Sequence, residues 1–202
     1  MTGKKGIFIT LEGPEGSGKS TQSVLLKKYF EGRGTDCVMT REPGGTPLAE
    51  TLRGILKNKS AEEELRPQTE LMLFIACRAQ LCANVIKPAL ARGAAVVCDR
   101  FHDSTLAYQG YARGMDLAFV KSLNDFALDG CLPDFTFVLD IDPASGFGRI
   151  AGRDLSASKN DRFETEPESF HRKVRDAFLT IARDNPRRVR VVDAARPPET
   201  VH

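Results

Sequence analysis

The sequence predicts an α/β fold in which a five-stranded, mostly parallel sheet carries helices on both faces, and three observations predict it. Short apolar runs rich in β-branched residues recur along the chain, longer segments with helical periodicity separate them, and the polar signatures fall where the runs end. Strand and helix take turns. That order favours a mostly parallel sheet covered on both sides, with ligands bound at the carboxyl ends of its strands.

The runs are GIFITLE (6–12), DCVMT (36–40), AAVVCD (94–99), FTFVLDID (135–142) and VRVVD (189–193), and each reads as a buried strand. Between them, Val24, Leu25 and Tyr29 share a helical face that stops at the GRG of residues 32–34, and Phe170, Val174, Phe178 and Ile181 recur at spacings of three and four. No internal repeat, low-complexity tract or linker-like shift in composition divides the chain, so residues 1–202 are expected to form a single domain, a length sufficient to bury a core.

A net charge of +2 argues against coating nucleic acid or membrane through bulk electrostatics, so any anion must be held locally. The five cysteines, Cys37, Cys77, Cys82, Cys98 and Cys131, lack metal-ligand spacing and mostly fall in apolar segments, as buried thiols in a reducing compartment do. The opening MTGKKGIFITLEG has too short an apolar run for a signal peptide, and no later stretch reads as long enough to span a membrane. A soluble cytoplasmic protein is expected.

The first strand runs directly into Gly13-Pro14-Glu15-Gly16-Ser17-Gly18-Lys19-Ser20, followed by Thr21, which matches G-x-x-x-x-G-K-[ST] with strand before and helix after. The glycines let backbone N–H groups converge, and with a helix N-terminus they cradle anionic oxygens. Lys19 is placed to reach the β and γ phosphates and the Ser20 hydroxyl to ligate Mg²⁺. A turn that binds nothing needs neither group. The pattern predicts the P-loop NTPase fold and a nucleoside triphosphate, but not the reaction. A GTPase-like switch needs a base-reading N-K-x-D, and NKSA (58–61) has alanine in place of the aspartate; the additional signatures of transport ATPases are missing. Kinases for small acceptors remain.

An acceptor pocket is legible after the later strands. In TREPGGTPLAETLRG (40–54), Pro43 and two glycines form a tight turn, Thr46 and Pro47 read as a helix cap, and Arg53 lies about two turns along the same face, able to point back. In LMLFIACRAQL (71–81), Phe74 and Arg78 share a helical face, a ring for stacking and a guanidinium for a base edge; taken alone, a core phenylalanine and a surface arginine are the commoner outcome. VVCDRFHDSTLAYQG (96–110) delivers Asp99 to a strand end, where Mg²⁺-binding carboxylates of P-loop proteins sit, and Arg100 to clamp a phosphoryl oxygen. Ser104, Thr105, Tyr108 and Gln109 then look like ligand contacts rather than core.

Together EGPEGSGKST, REPGGT, the Phe74 and Arg78 helix, DRFHDSTLAYQG, LPDFTFVLD and DRFE resemble the bacterial type of the thymidylate kinase family over nearly the whole chain. The resemblance implies phosphoryl transfer from ATP to dTMP with Mg²⁺ in a homodimer. It implies that Phe74 stacks on thymine, Arg78 bonds its edge, Thr105 contacts the base from the other side and Tyr108 crowds the 2′ position. Pro43 and Gln109 line the pocket, and Arg53 and Arg100 hold the acceptor phosphate. It also gives a purpose to a carboxylate inside an anion-binding loop: Glu15 bonds the acceptor 3′-hydroxyl while the loop backbone holds the donor, and a single loop positions both substrates.

Some members of that family carry an arginine where this chain has Gly16, so the cation for the moving phosphoryl is expected from DPASGFGRIAGRDLSASKNDRFE (142–164). This glycine-containing polar stretch reads as a mobile lid over about 143–164, with either Arg149 or Arg153 reaching the phosphates, and Arg162 and Glu164 as the lid's structural alternative. The resemblance implies a further helix where DAARPPETVH ends the sequence. The mechanism expected is in-line transfer with no covalent intermediate and no general base, the acceptor phosphate being an anion already. A different nucleoside monophosphate kinase is the principal rival.

Overall fold

The computed structural model describes residues 6–58, 63–151 and 161–202. Its sheet has five parallel strands, β1 (Phe8–Glu12), β2 (Cys37–Arg41), β3 (Ala95–Asp99), β4 (Phe135–Asp140) and β5 (Val189–Asp193), in the order β2-β3-β1-β4-β5. The chain leaves β1 toward one edge and later crosses to the other, so the order reverses beside β1. A crevice opens there at the carboxyl ends. The register pairs Leu11 with Asp99, which sets the segment after β1 alongside the end of β3.

All five strands fall where the apolar runs predicted them, but they are not equally buried. β1 is buried throughout and β3 nearly so. β2 and β5 are edge strands, buried only at some positions, because a helix layer covers just part of each. The central strands alternate between two cores. Val96 and Cys98 join Phe8, Leu81, Ile86 and Phe101 on one side, while Ala95 and Val97 join Leu11, Leu26 and Phe30 on the other. All five cysteines are free and buried.

Among the described residues the α-helices are α1 (Lys19–Glu31), α2 (Pro47–Lys57), α3 (Pro67–Leu81), α4 (Lys87–Ala91), α5 (His102–Thr105), α6 (Leu117–Leu128), α7 (Pro143–Ala151), α8 (Glu168–Asp184) and α9 (Pro198–Val201), and a π-helical segment, Leu106–Ala112, continues α5. α2 starts as its sequence predicts: the Thr46 hydroxyl accepts from the Ala49 N–H at 3.2 Å, and Pro47 opens the first turn. α8 turns Phe170, Val174, Phe178 and Ile181 into one core with Tyr108 and Val138. Within DAARPPETVH lies the short α9, tied to α1 where Gln22 Nε2 donates to the Pro198 carbonyl at 2.8 Å.

One expectation needs correction. A π-helical turn, Cys82–Ile86, joins α3 to α4, so Pro67–Ala91 is one helical stretch of 25 residues, long and apolar enough by length and composition to cross a membrane. Its hydropathy has another cause in this fold. Leu71, Ile75, Cys77, Leu81 and Ile86 belong to three separate cores, and Arg78 within it is buried against a carboxylate.

Candidate active site

The loop after β1 wraps around its own lysine. Gly13, Gly16 and Gly18 have φ of 132°, 71° and 91°, which L-residues with side chains rarely adopt, and these turns aim the loop carbonyls inward. Lys19 Nζ donates to the carbonyls of Gly13 at 3.1 Å and Pro14 at 2.7 Å and to Ser17 Oγ at 3.2 Å. Burial, with the Arg100 guanidinium nearby, pulls Lys19 down to about 8. One residue on, Ser20 Oγ donates to Asp99 Oδ2 at 2.6 Å, so the hydroxyl and carboxylate expected to share a cation are in contact.

Glu15 is pinned inside the crevice. Arg100 Nη2 donates to its Oε1 at 2.6 Å and the Tyr108 hydroxyl to the same oxygen at 3.0 Å. Burial alone raises the Glu15 carboxyl, but Arg100, then Lys19 and Tyr108, outweigh it and hold it at about 2. Arg100 Nη1 donates to the Gly13 carbonyl at 3.0 Å and to Ser104 Oγ at 3.3 Å, so this guanidinium, expected on the acceptor phosphate, is engaged with the loop and its acid.

Arg100 itself sits at φ 67°, a conformation costing a non-glycine residue roughly 1 kcal/mol. A carboxylate that sequence reasoning missed holds the backbone beyond it. Glu12, wholly buried at the end of β1, accepts from Phe101 N–H at 2.8 Å, Ser104 N–H at 3.2 Å and Ser104 Oγ at 2.5 Å. Burial, with Asp103 nearby, pushes its carboxyl up to about 8. The one signal available was an acid at the end of an apolar strand.

From the loop a cavity of about 690 Å³ extends between α2, α3 and α5, and every residue expected to touch the acceptor lines it: Glu15, Pro43, Arg53, Phe74, Arg78, Arg100, Ser104, Thr105, Tyr108 and Gln109. Gly16, Gly18, Lys19, Ser20, Thr21 and Asp99 line it too, whereas Gly13, Pro14 and Ser17 do not. Arg53 does point back along its helix, Nη1 donating to the Pro43 carbonyl at 2.6 Å. Phe74 meets the ring of Phe163, another lining residue the sequence did not single out, at 5.8 Å.

Arg78 is neither a surface arginine nor free to roam. At 1% exposure it gives Nε and Nη2 to Glu42 Oε2 at 3.0 and 2.5 Å, Nη2 to Thr105 Oγ1 at 3.0 Å, and Nη1 to Asn124 Oδ1 at 2.5 Å. Nη1 keeps a second hydrogen. Gln109 Nε2 donates to the buried Glu70 at 2.7 Å, which also receives Arg113. Neither Glu42, Asn124 nor Glu70 was legible as part of the site, because each acts through a partner distant in the chain.

The segment expected to form a lid is described at both of its ends. The stretch begins with an ordered helix, α7, and Arg149 on it donates Nη1 to the Ala194 carbonyl at 2.8 Å and Nη2 to Ala195 at 3.1 Å, in the loop after β5. Arg149 does not line the cavity. Arg153 lies outside the described residues. Beyond, Asp161 pairs with Lys57 at 2.5 Å, both lining the cavity, and bridges to Asn58. Arg162 Nη2 lies 2.5 Å from Glu70 Oε2, an ion-pair contact whose angles make no hydrogen bond, while its Nε donates to the Leu56 carbonyl at 3.2 Å. Arg162 thus has the structural part of the alternative, and Glu164 lines the cavity.

A site of this plan, a phosphate loop facing an aromatic and arginine-lined chamber, has known counterparts. The thymidylate kinase family profile matches residues 11–202. The chain belongs to the thymidylate kinase family. It is 50% identical over 192 residues to a thymidylate kinase of Pseudomonas fluorescens strain SBW25, covering 95% of this chain and 89% of that protein. It is 46% identical over 198 residues to a thymidylate kinase of Halothermothrix orenii, covering 98% and 93%. A crystal structure of thymidylate kinase from Ehrlichia chaffeensis superposes with a TM-score of 0.77 at 39% identity over 98% of this chain and 94% of that one. This thymidylate kinase fold is the P-loop NTPase arrangement expected from the first motif. Among the described residues no group of three or more His, Cys, Asp or Glu is arranged to hold a metal ion.

Proposed function

We propose that the protein transfers the γ-phosphoryl of ATP to dTMP, releasing dTDP and ADP, a step toward dTTP. The observation that carries this reading is the position of Glu15. It lines one cavity with Lys19 and Ser20 and with Phe74, Arg78 and Thr105, which supports a loop that serves both substrates. The loop amides and Lys19 hold the donor phosphates. Phe74 stacks on the pyrimidine, Arg78 reads its edge with Thr105 opposite, Tyr108 crowds the 2′ position, and Glu15 takes the 3′-hydroxyl. Arg53 and Arg100 hold the acceptor phosphate, with Pro43, Ser104 and Gln109 completing the wall. Transfer then needs positioning and charge neutralisation, with no protein base.

Mg²⁺ fits the residues present. Such sites take one or two carboxylates plus substrate phosphate oxygens, and Ser20 Oγ with Asp99 Oδ2 supplies a hydroxyl and a carboxylate in contact. When bound, the ion offsets phosphate charge. Either Arg149 or Arg153 of the lid supplies the cation for the γ-phosphoryl; Arg149 bonds the carbonyls after β5 before nucleotide binds. The chain works as one domain with a short lid over about 143–164. It acts as a homodimer, a reading supported by Phe119 and Phe126 of α6, 52% and 80% exposed, and by the exposed Met72 of α3, a helix that packs against α6. Free buried cysteines suit the cytoplasm, and neither nucleic acid nor membrane is a partner in this reading.

The test is ADP release from ATP with a panel of nucleoside monophosphates. Strong preference for dTMP is expected. Preference for another monophosphate would favour the rival kinase, and no acceptor-dependent turnover would favour a nucleotide-binding protein.

A further inference from the structure

Helix α7 rests on the phosphate loop backbone against backbone. A Cβ built on Gly146 would lie 2.2 Å from the Glu15 carbonyl oxygen, and one built on Gly16 would lie 2.0 Å from the Gly146 carbonyl oxygen. Carbon and oxygen not bonded to each other normally stay about 3.3 Å apart. No flexible side-chain end lies between to yield. The two glycines are therefore what lets the helix sit this close.

Residues flanking Gly146 on α7 tie the helix in place. Phe147 meets the His171 ring of α8 edge-on at 4.7 Å, and Arg149 is bonded to the Ala194 and Ala195 carbonyls. An added methyl at Gly146 has to push the helix or the loop by about 1 Å, a displacement that can cost 100-fold when it reaches reacting groups. The pushed atom belongs to Glu15, whose carboxylate is fixed by Arg100 and Tyr108 on the acceptor side.

We propose that Gly146 is a positioning residue: by bringing α7 onto Glu15 and Gly16 without a side chain between, it sets the place of the Glu15 carboxylate relative to the donor loop. The proposal deepens the kinase reading and rests on it. It also explains in physical terms why position 16 carries no arginine. A side chain there would enter the space of the Gly146 carbonyl, so the loop cannot supply its own cation while α7 is seated.

The molecule contains its own control. Gly148, two residues along the same helix, has no atom within 4 Å of the Cβ it would gain. Gly146→Ala and Gly148→Ala raise helix propensity alike, but only the first introduces the collision. Gly146→Ala is expected to raise KM for dTMP and lower kcat, for a loss of roughly 10- to 100-fold in kcat/KM, with KM for ATP near the parent value. A purely structural loss would lower apparent kcat and leave both KM values alone. Turnover of dTMP by the parent and by Gly148→Ala tests the kinase reading by itself; the gap between the two variants tests the contact. Equal kinetics for the two variants would overturn the proposal. Hydrogen exchange on the unmodified protein is a second test that depends on neither variant folding. On adding Mg·ADP, amides of residues 13–18 and 143–151 should slow together, and slowing of the loop alone would overturn the coupling.

Discussion

Arg100 and Glu15 join the ends of two strands: from the residue after β3, Nη2 donates at 2.6 Å to a carboxylate in the loop after β1. The acid in the anion-binding loop is thereby neutralised locally, and its orientation is set from the side where the acceptor sugar is proposed to lie. The Tyr108 hydroxyl on the same oxygen completes the arrangement.

Replacing Glu15 with Gln removes that charge. Loss of a charge-assisted hydrogen bond predicts a fall of roughly 10- to 100-fold in kcat/KM for dTMP. Stability should respond with a definite sign. The folded carboxyl is held at about 2, below its ordinary 4.5, so its ionisation stabilises the fold fully above pH 4.5 and the contribution is lost as pH falls toward 2. Urea unfolding across this range should show the difference between parent and Glu15→Gln largest at the upper end and vanishing at the lower.

Lys19 gives a second pH signature. With its ammonium pulled down to about 8 by burial and Arg100, kcat/KM for ATP should decline above about pH 8, because that quantity reports the free enzyme. Bound phosphates restore the charge, so kcat should hold to higher pH. A kcat/KM profile flat to pH 10 would contradict this.

Phe74→Ala should weaken dTMP binding and spare ATP. Stacking of a base on an aromatic ring is worth about 1–3 kcal/mol, so KM or Kd for dTMP should rise on the order of 10-fold or more. Titration calorimetry with each nucleotide checks it, and equal losses for both would contradict the pocket assignment.

Glu42→Ala should do two things, since Glu42 carries Arg78 on a buried hydrogen-bonded pair, with 1% and 3% side-chain exposure for Arg78 and Glu42. Removing one partner of such a pair costs about 3–5 kcal/mol, which in a chain of this size lowers Tm by roughly 6–20 °C. Base reading should suffer with it. Differential scanning calorimetry and dTMP affinity, measured on the same protein, check both.

Legibility in the sequence followed locality. The strands were readable from β-branched runs, the start of α2 from Thr46 and Pro47, and the contact of Ser20 with Asp99 from motif spacing. Glu12 and Glu42 were not, because their partners Phe101 and Arg78 lie 89 and 36 residues away and nothing local marks either acid as buried. α7 was read as part of a lid because its two glycines lower helix propensity. Packing of Gly146 on the loop supplies what propensity does not. The length of the apolar Pro67–Ala91 stretch was missed because Pro88, a residue that usually ends helices, falls in the first turn after the π-helical segment.

The most direct test of the central claim is a crystal structure with dTMP and a non-hydrolysable ATP analogue bound together. The account predicts the pyrimidine lying on the Phe74 ring, the Glu15 carboxylate on the acceptor sugar, and the donor phosphates on the amides of residues 13–20. A pyrimidine bound away from Phe74, or Glu15 turned into solvent, would contradict it.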